Sequence, residues 1–461
     1  MSLSDHPRVY GTAALTAAFV AGILVTLGFK DLYPELESRY QRRKGKNKGI
    51  ESRTGTSIPP DSSRRGSLLW GPVRLEDHED SLTTTANPRG TEIVEGIEGT
   101  IGNTPLVMIR SLSEATGCII LAKVEFLNGA GGSPKDRVAL NMIQEAEARG
   151  LLVPNRGDTI YEGTVGSTGI SLATLARAMG YRAHICMPND QSTEKSNLLH
   201  HLGATVERVP VAPITSPEHF VNLARTRARE HTASASLPGS DGSRGFFADQ
   251  FESVANYQAH VKTTGPEIYR QTGGGKLDAW VAGAGTGGTI AGVAKYLKED
   301  MKLTNLRVVL ADPQGSGLYN KIRHGVMYSS TEREGTRRRT QVDTIVEGIG
   351  INRITENFEA GRPLIDDAVR VTDEQACRMA RWLVEHDGIF AGSSSAVNCV
   401  AAVVTALSLP KGSRVVTVLC DSGTRHLSKF WKHVAEMGLE DDTQAEADDL
   451  LKELGLSQPK R

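Results

Sequence analysis

Five residues, Ser133-Pro134-Lys135-Asp136-Arg137, carry the first sign of chemistry in this chain. They close a glycine-rich stretch, Asn128-Gly129-Ala130-Gly131-Gly132, and open a segment of helical character that runs to about Gly150. Ser133 suits an N-cap, Pro134 the first helical position, and Asp136 the closing member of a capping box. Lys135 then falls in the first turn, where the positive end of the helix dipole favours loss of its proton. A neutral amine on a fixed backbone can form an imine with a carbonyl compound. The competing reading of these five residues alone is an ordinary lysine near a helix start.

Three further stretches change the balance. Gly283-Ala284-Gly285-Thr286-Gly287-Gly288-Thr289 follows the strand-like Ala279-Trp280-Val281 and precedes a helical segment. Backbone N–H groups at such a junction cradle phosphate. The same residues satisfy G-x-G-x-x-G, and Asp312 follows the next strand, so a dinucleotide-binding reading competes. The hydroxyls of Thr286 and Thr289 favour a compact phosphate monoester. Glu162-Gly163-Thr164-Val165-Gly166-Ser167-Thr168-Gly169 lies between another strand and helix and could hold a carboxylate, or could simply be a tight turn. Asp421-Ser422-Gly423 follows the strand ending at Leu419, the end at which open α/β sheets place ligands. An imine-forming lysine, a phosphate cradle and a carboxylate loop together describe pyridoxal phosphate carrying an amino acid.

The elements that must position these stretches alternate. Strand patterns at 119–126, 158–161, 183–187, 205–209, 279–281, 306–311 and 414–419 are separated by helical patterns at 135–150 and 170–180, one running through His201 after Pro188, one ending at about Glu299, and one at 374–385. Continuous apolar strands between amphipathic helices imply α/β architecture with parallel sheet covered on both faces. Folded structure is expected to begin near Thr91, with an alternating pattern from Ile93 to Gly96. Thr232 to Arg244 reads as a surface loop, and the polar insert from Tyr328 to Arg339 has no assigned role.

Hydrophobic content of 39% and charged content of 23% suit a globular enzyme, and a net charge of -1 gives no reason to expect nucleic acid as a partner. Five scattered cysteines without C-x-x-C spacing argue against a disulfide framework and a zinc site, and no metal is expected. Val9–Phe29 contains no charged residue and is long enough to cross a bilayer. Basic residues cluster after it, which implies an uncleaved anchor with the bulk of the chain in the cytosol. Residues 30–90 read as a disordered basic linker, 91–435 as the catalytic domain, and 436–461 as an acidic helical tail.

Four motifs in order, Ile101-Gly102-Asn103-Thr104-Pro105-Leu106-Val107, Ser133-Pro134-Lys135-Asp136-Arg137, Thr264-Gly265-Pro266-Glu267-Ile268 and Gly285-Thr286-Gly287-Gly288-Thr289, resemble the cysteine synthase and cystathionine β-synthase family. The resemblance spans about Thr91 to Phe430 and lies closest to the family's fungal, membrane-anchored branch. It implies a fold-type II, tryptophan synthase β-like enzyme with two parallel-sheet subdomains, the smaller at about 129–252, and pyridoxal phosphate between them. Lys135 would hold the cofactor covalently and act as general base. Gly285, Thr286, Gly287, Gly288 and Thr289 would hold its phosphate, Ser167 would face the ring hydroxyl and Ser422 the ring nitrogen. Thr164, Thr168 and Gln250 would bind the substrate carboxylate, and Gly348 would line the entrance. The implied reaction replaces the acetyl group of O-acetyl-L-serine by sulfide to give L-cysteine, in a homodimer at the mitochondrial outer membrane or, alternatively, the endoplasmic reticulum. Cystathionine synthesis from serine and homocysteine, serine dehydration, and a weakly active membrane-tethered scaffold are the other readings. The chain departs from the family's T-S-G-N-T-G loop at Val165 and Ser167, and serine reaches less far than asparagine.

Overall fold

The structure is a computed structural model of the chain and describes residues 93–189, 193–327, 344–439 and 450–456. The expected anchor Val9–Phe29, the linker, the Tyr328–Arg339 insert and most of the acidic tail lie outside the described residues. Among the described residues no helix is long and apolar enough to cross a membrane.

Two sheets organise the described chain. The larger has six strands in the order β1 (Leu106–Met108), β2 (Ile119–Val124), β10 (Arg414–Leu419), β7 (Ala279–Gly283), β8 (Arg307–Pro313) and β9 (Asp367–Val371). The smaller has four, in the order β5 (Thr205–Val209), β4 (Arg182–Pro188), β3 (Thr159–Gly163) and β6 (Gly245–Phe247). Every pairing is parallel except β1 with β2, so the expected parallel sheet gains one antiparallel edge.

Alternation along the strands explains why both faces of the large sheet are covered. Ala279 and Val281 of β7 and Val415 and Leu419 of β10 face one core, which the helices Asp373–Asp387 and Ser393–Leu407 complete. Trp280, Ala282, Val416 and Val418 face the opposite core with Ile290, Leu297 and Phe358. Strands apolar on both faces are what a sheet buried between helices requires. The Lys135–Ala148 and Ser167–Ala178 helices cover the small sheet through Val138, Met142, Leu172 and Leu175.

The stretch Ile93–Gly96 forms no strand; Ile93 and Val94 are exposed, and pairing begins only at Leu106. An alternating pattern without a neighbouring edge has nothing to bond to. The short Leu450–Glu453 helix and the residue after it bury Leu450, Leu451 and Leu454 in the first core, so this part of the tail is an integral packing element.

Candidate active site

The Lys135 motif is built around a knot of buried charge. Arg137 donates from Nε to Glu125 Oε2 at 2.8 Å and from Nη1 to Glu267 Oε1 at 2.6 Å. Lys123, fully buried, contacts Glu267 Oε2 at 2.6 Å. The Thr104 hydroxyl donates to Glu125 at 2.7 Å, and the Asn103 N–H to Glu267 at 2.9 Å. Residues from three of the four recurring motifs therefore meet in one cluster that needs every partner, since a buried charge left alone is costly. Burial opposes the ionised form of Glu125, but Arg137 and Lys123 outweigh it and hold its pKa at about 2.

The helix starts at Lys135, whose N–H donates to Ser133 Oγ at 3.3 Å. The expected capping box does not form. Asp136 turns back to accept from the Gly131 and Gly132 N–H groups at 2.7 and 2.8 Å, and from the Ser171 hydroxyl at 2.6 Å. Its carboxylate shapes the glycine loop before the lysine. The Lys135 amine makes no hydrogen bond or ion pair among the described residues. Its pKa is lowered, and the leading cause is lost hydration, which outweighs the opposing pull of Cys420 and Asp421. Burial supplies the effect that the sequence attributes to the helix dipole.

The glycine–threonine loop follows β7 and opens a helix that continues from Gly288 through Asp300. Gly285 is pressed against the chain at Gly348, whose carbonyl oxygen lies 2.4 Å from where a Cβ would stand. Gly287 has φ +86°, and a Cβ there would meet Phe358 Cα at 2.5 Å. The Thr286 hydroxyl oxygen lies 2.9 Å from Asn256 Nδ2, and Thr289 Oγ 3.2 Å from His260 Nε2. The Gly350 N–H donates to Ala284 O at 2.9 Å, tying the Gly348 turn to the same loop.

Gln250 joins this region to the Thr164–Thr168 turn. The Thr168 hydroxyl donates to Gln250 Oε1 at 2.6 Å, and Asn256 Nδ2 donates to Gln250 O at 2.7 Å. Gln250 Nε2 lies 3.4 Å from Glu162 Oε1, a carboxyl that burial, then Asp249, push up to about 8. Thr164 is buried, Val165 is exposed, and the Ser167 side chain makes no hydrogen bond among the described residues. Ser422 accepts from the Thr424 N–H at 3.3 Å, while Asp421 turns to His426 Nε2 at 3.0 Å. Neighbouring residues thus take different partners.

Sequence reasoning missed Asn256, His260 and His426, and gave Glu162 no role of its own within its loop. The i, i+4 spacing of Asn256 and His260 just before the Thr264–Ile268 motif is the one available signal. Three groups of metal-ligand type, His184, Cys186 and Glu207, also gather on the small sheet. Arg227 engages both Glu207 oxygens, at 2.9 and 3.2 Å, and burial, then Glu207, push the Cys186 thiol up to about 12. That chemistry is an ion-paired patch, and no metal is assigned to it.

A family profile described as "Pyridoxal-phosphate dependent enzyme" matches residues 97–421. The chain belongs to that family. Its cofactor is pyridoxal phosphate. A relative named "Cysteine synthase 2" from Neurospora crassa is 78% identical over 100% of both chains. A Saccharomyces cerevisiae relative, whose name contains the words mitochondrial cysteine synthase, is 57% identical over 74% of this chain and 85% of its own. Among solved structures, O-ureido-L-serine synthase is 31% identical with a TM-score of 0.62, covering 78% of this chain and 98% of that one.

Proposed function

We propose that this pyridoxal-phosphate dependent enzyme is a cysteine synthase, which joins O-acetyl-L-serine and sulfide to give L-cysteine and acetate. The observation that carries the reading is the Lys135 amine, unpartnered and short of hydration, in a chain 78% identical to a cysteine synthase. The residues present fit the cofactor. Gly285 and Gly287 leave no room for side chains beside the loop, and the Thr286 and Thr289 hydroxyls are anchored from beneath, as a phosphate cradle requires.

Lys135 would bond the cofactor covalently, and Gly285, Thr286, Gly287, Gly288 and Thr289 would take its phosphate. Ser167 would serve its ring hydroxyl and Ser422 its ring nitrogen. When bound, pyridoxal phosphate supplies the electron sink that makes a substrate Cα proton acidic. Lys135, poorly hydrated and so favoured as a free amine, would be the base that holds that proton at Nζ and later returns it. Thr164, Thr168 and Gln250 would orient the substrate carboxylate, with Glu162 fixing the Gln250 amide, and the Gly348 turn would line the entrance. The net replacement would exchange acetate for hydrosulfide at Cβ, with the proton held on Lys135 returned to Cα. The uncharged Val9–Phe29 segment supports anchoring in the mitochondrial outer membrane with the catalytic part in the cytosol, the endoplasmic reticulum being the alternative. The family resemblance supports a homodimer.

Visible spectroscopy of the detergent-purified full chain tests the reaction. O-acetylserine should shift the cofactor band, and sulfide should return it with release of cysteine. Cystathionine from serine and homocysteine, or pyruvate without any sulfur donor, would replace the proposal by one of its competitors. No response to any amino acid would leave the scaffold reading.

A further inference from the structure

Two buried side chains beneath the glycine–threonine loop have no part in the reaction just described. Asn256 and His260 stand one turn apart on the rod formed by Ala255–Ala259 and His260–Thr264, and are 1% and 0% exposed. The end of Asn256 that faces the Gln250 carbonyl oxygen at 2.7 Å must be its amide nitrogen, because a carbonyl only accepts. The other hydrogen of that nitrogen goes to the Thr286 oxygen at 2.9 Å. Thr286 accepts there, so its own hydrogen must be spent elsewhere. Gly288 makes this fit possible, since a Cβ would lie 1.9 Å from Asn256 Oδ1.

His260 spans two hydroxyls, with Nδ1 at 2.9 Å from Thr264 Oγ1 and Nε2 at 3.2 Å from Thr289 Oγ1. Burial, then the charge of Arg137, lower its pKa to about 3, so the ring is neutral and carries one hydrogen. With that hydrogen on Nε2, Thr289 accepts and its own hydrogen is free. With it on Nδ1, Thr289 must donate into the ring and turn its lone pairs outward.

We propose that Asn256 and His260 are positioning residues that set the hydrogen-bond polarity of the loop. Each hands a hydrogen to a threonine oxygen, so that Thr286 and Thr289 both present their own hydrogens to an anionic phosphate. The inference rests on the cofactor's phosphate lying at this loop. A bound phosphate then selects the Nε2-protonated tautomer of His260, because only that form offers it a donor.

Near-isosteric reversals test this. Asn256→Asp keeps the shape but sets a carboxylate against Thr286, and should weaken pyridoxal phosphate binding to the apo form about tenfold or more. Gln at 260 places an amide nitrogen near the position of Nε2, whereas Asn reaches only that of Nδ1. His260→Gln should therefore stay within about threefold of the unaltered chain, and His260→Asn should lose about tenfold. Affinity is read by fluorescence titration. Nitrogen-15 shifts of labelled histidines in the unaltered, loaded protein should show the His260 hydrogen on Nε2, a readout that does not depend on any variant folding. A hydrogen on Nδ1 there overturns the proposal. So does tight binding by the unaltered chain with Asn256→Asp and His260→Asn unchanged, which leaves the proposed function standing. No binding by the unaltered chain overturns both together.

Discussion

The state of single protons decides what several residues here can do. Lys135 is useful only as a free amine, and lost hydration pushes it that way. Lys135→Arg puts a permanent charge there and can neither bond the cofactor nor take a proton, and turnover should fall by at least about a hundredfold while the phosphate loop still binds cofactor reversibly. Dialysis followed by absorbance would reveal the lost covalent link. Glu162 titrates in the opposite sense. Burial raises its folded pKa to about 8, so the folded state holds a proton that the unfolded chain gives up nearer pH 4.5. Stability should decline as pH rises across that window, and Glu162→Gln should flatten the decline in melting temperature. His426 sits between Asp421 at 3.0 Å and Glu347 at 3.4 Å. Burial alone would lower its pKa, but these two carboxylates raise it to about 9. Its contribution is complete below the ordinary histidine value near 6.5 and fades as pH passes about 9. His426→Gln should therefore lower the melting temperature at pH 7 and erase that fading, as calorimetry across pH would show.

Elements decide whether these groups stay in place. Gly287 carries φ +86° with Phe358 pressed against it, so Gly287→Ala should strain the loop by roughly 1–3 kcal/mol and weaken cofactor binding, measured by titration. Arg137→Ala removes the central cation from between Glu125 and Glu267, and chemical denaturation should show a loss of about 3–5 kcal/mol. Strand and helix periods are visible in the chain because each reports which face is buried. The expected spans 205–209 and 414–419 coincide with β5 and β10, and the loops after β3 and β7 were found from their glycines and hydroxyls. The Ser393–Leu407 helix went unseen because it is buried nearly all round and shows no polar stripe. The Arg137–Glu267 pair, 130 positions apart, was equally hidden, since periodicity names a face and never its partner.

At the scale of the molecule, the ion pair of Lys195 with Glu347 at 3.0 Å joins the helix Thr193–His201 beside the small sheet to the turn that carries Gly348. Both side chains keep about a fifth of their surface in solvent, so Lys195→Met should cost below about 1 kcal/mol in stability, yet alter KM through the entrance it ties down. The uncharged segment Val9–Phe29 predicts that the full chain stays with membranes in alkaline carbonate, whereas deletion of residues 1–90 releases it. The knot of Lys123, Glu125, Arg137 and Glu267 has a consequence for how such a chain can change over generations. Its two cations and two anions cancel, so altering any one member strands another, while exchanging the whole set for well-packed apolar groups need not harm the fold. Drift one substitution at a time is thus blocked at all four positions. Descendants should keep the quartet intact or have lost it wholesale, with few surviving half-way forms.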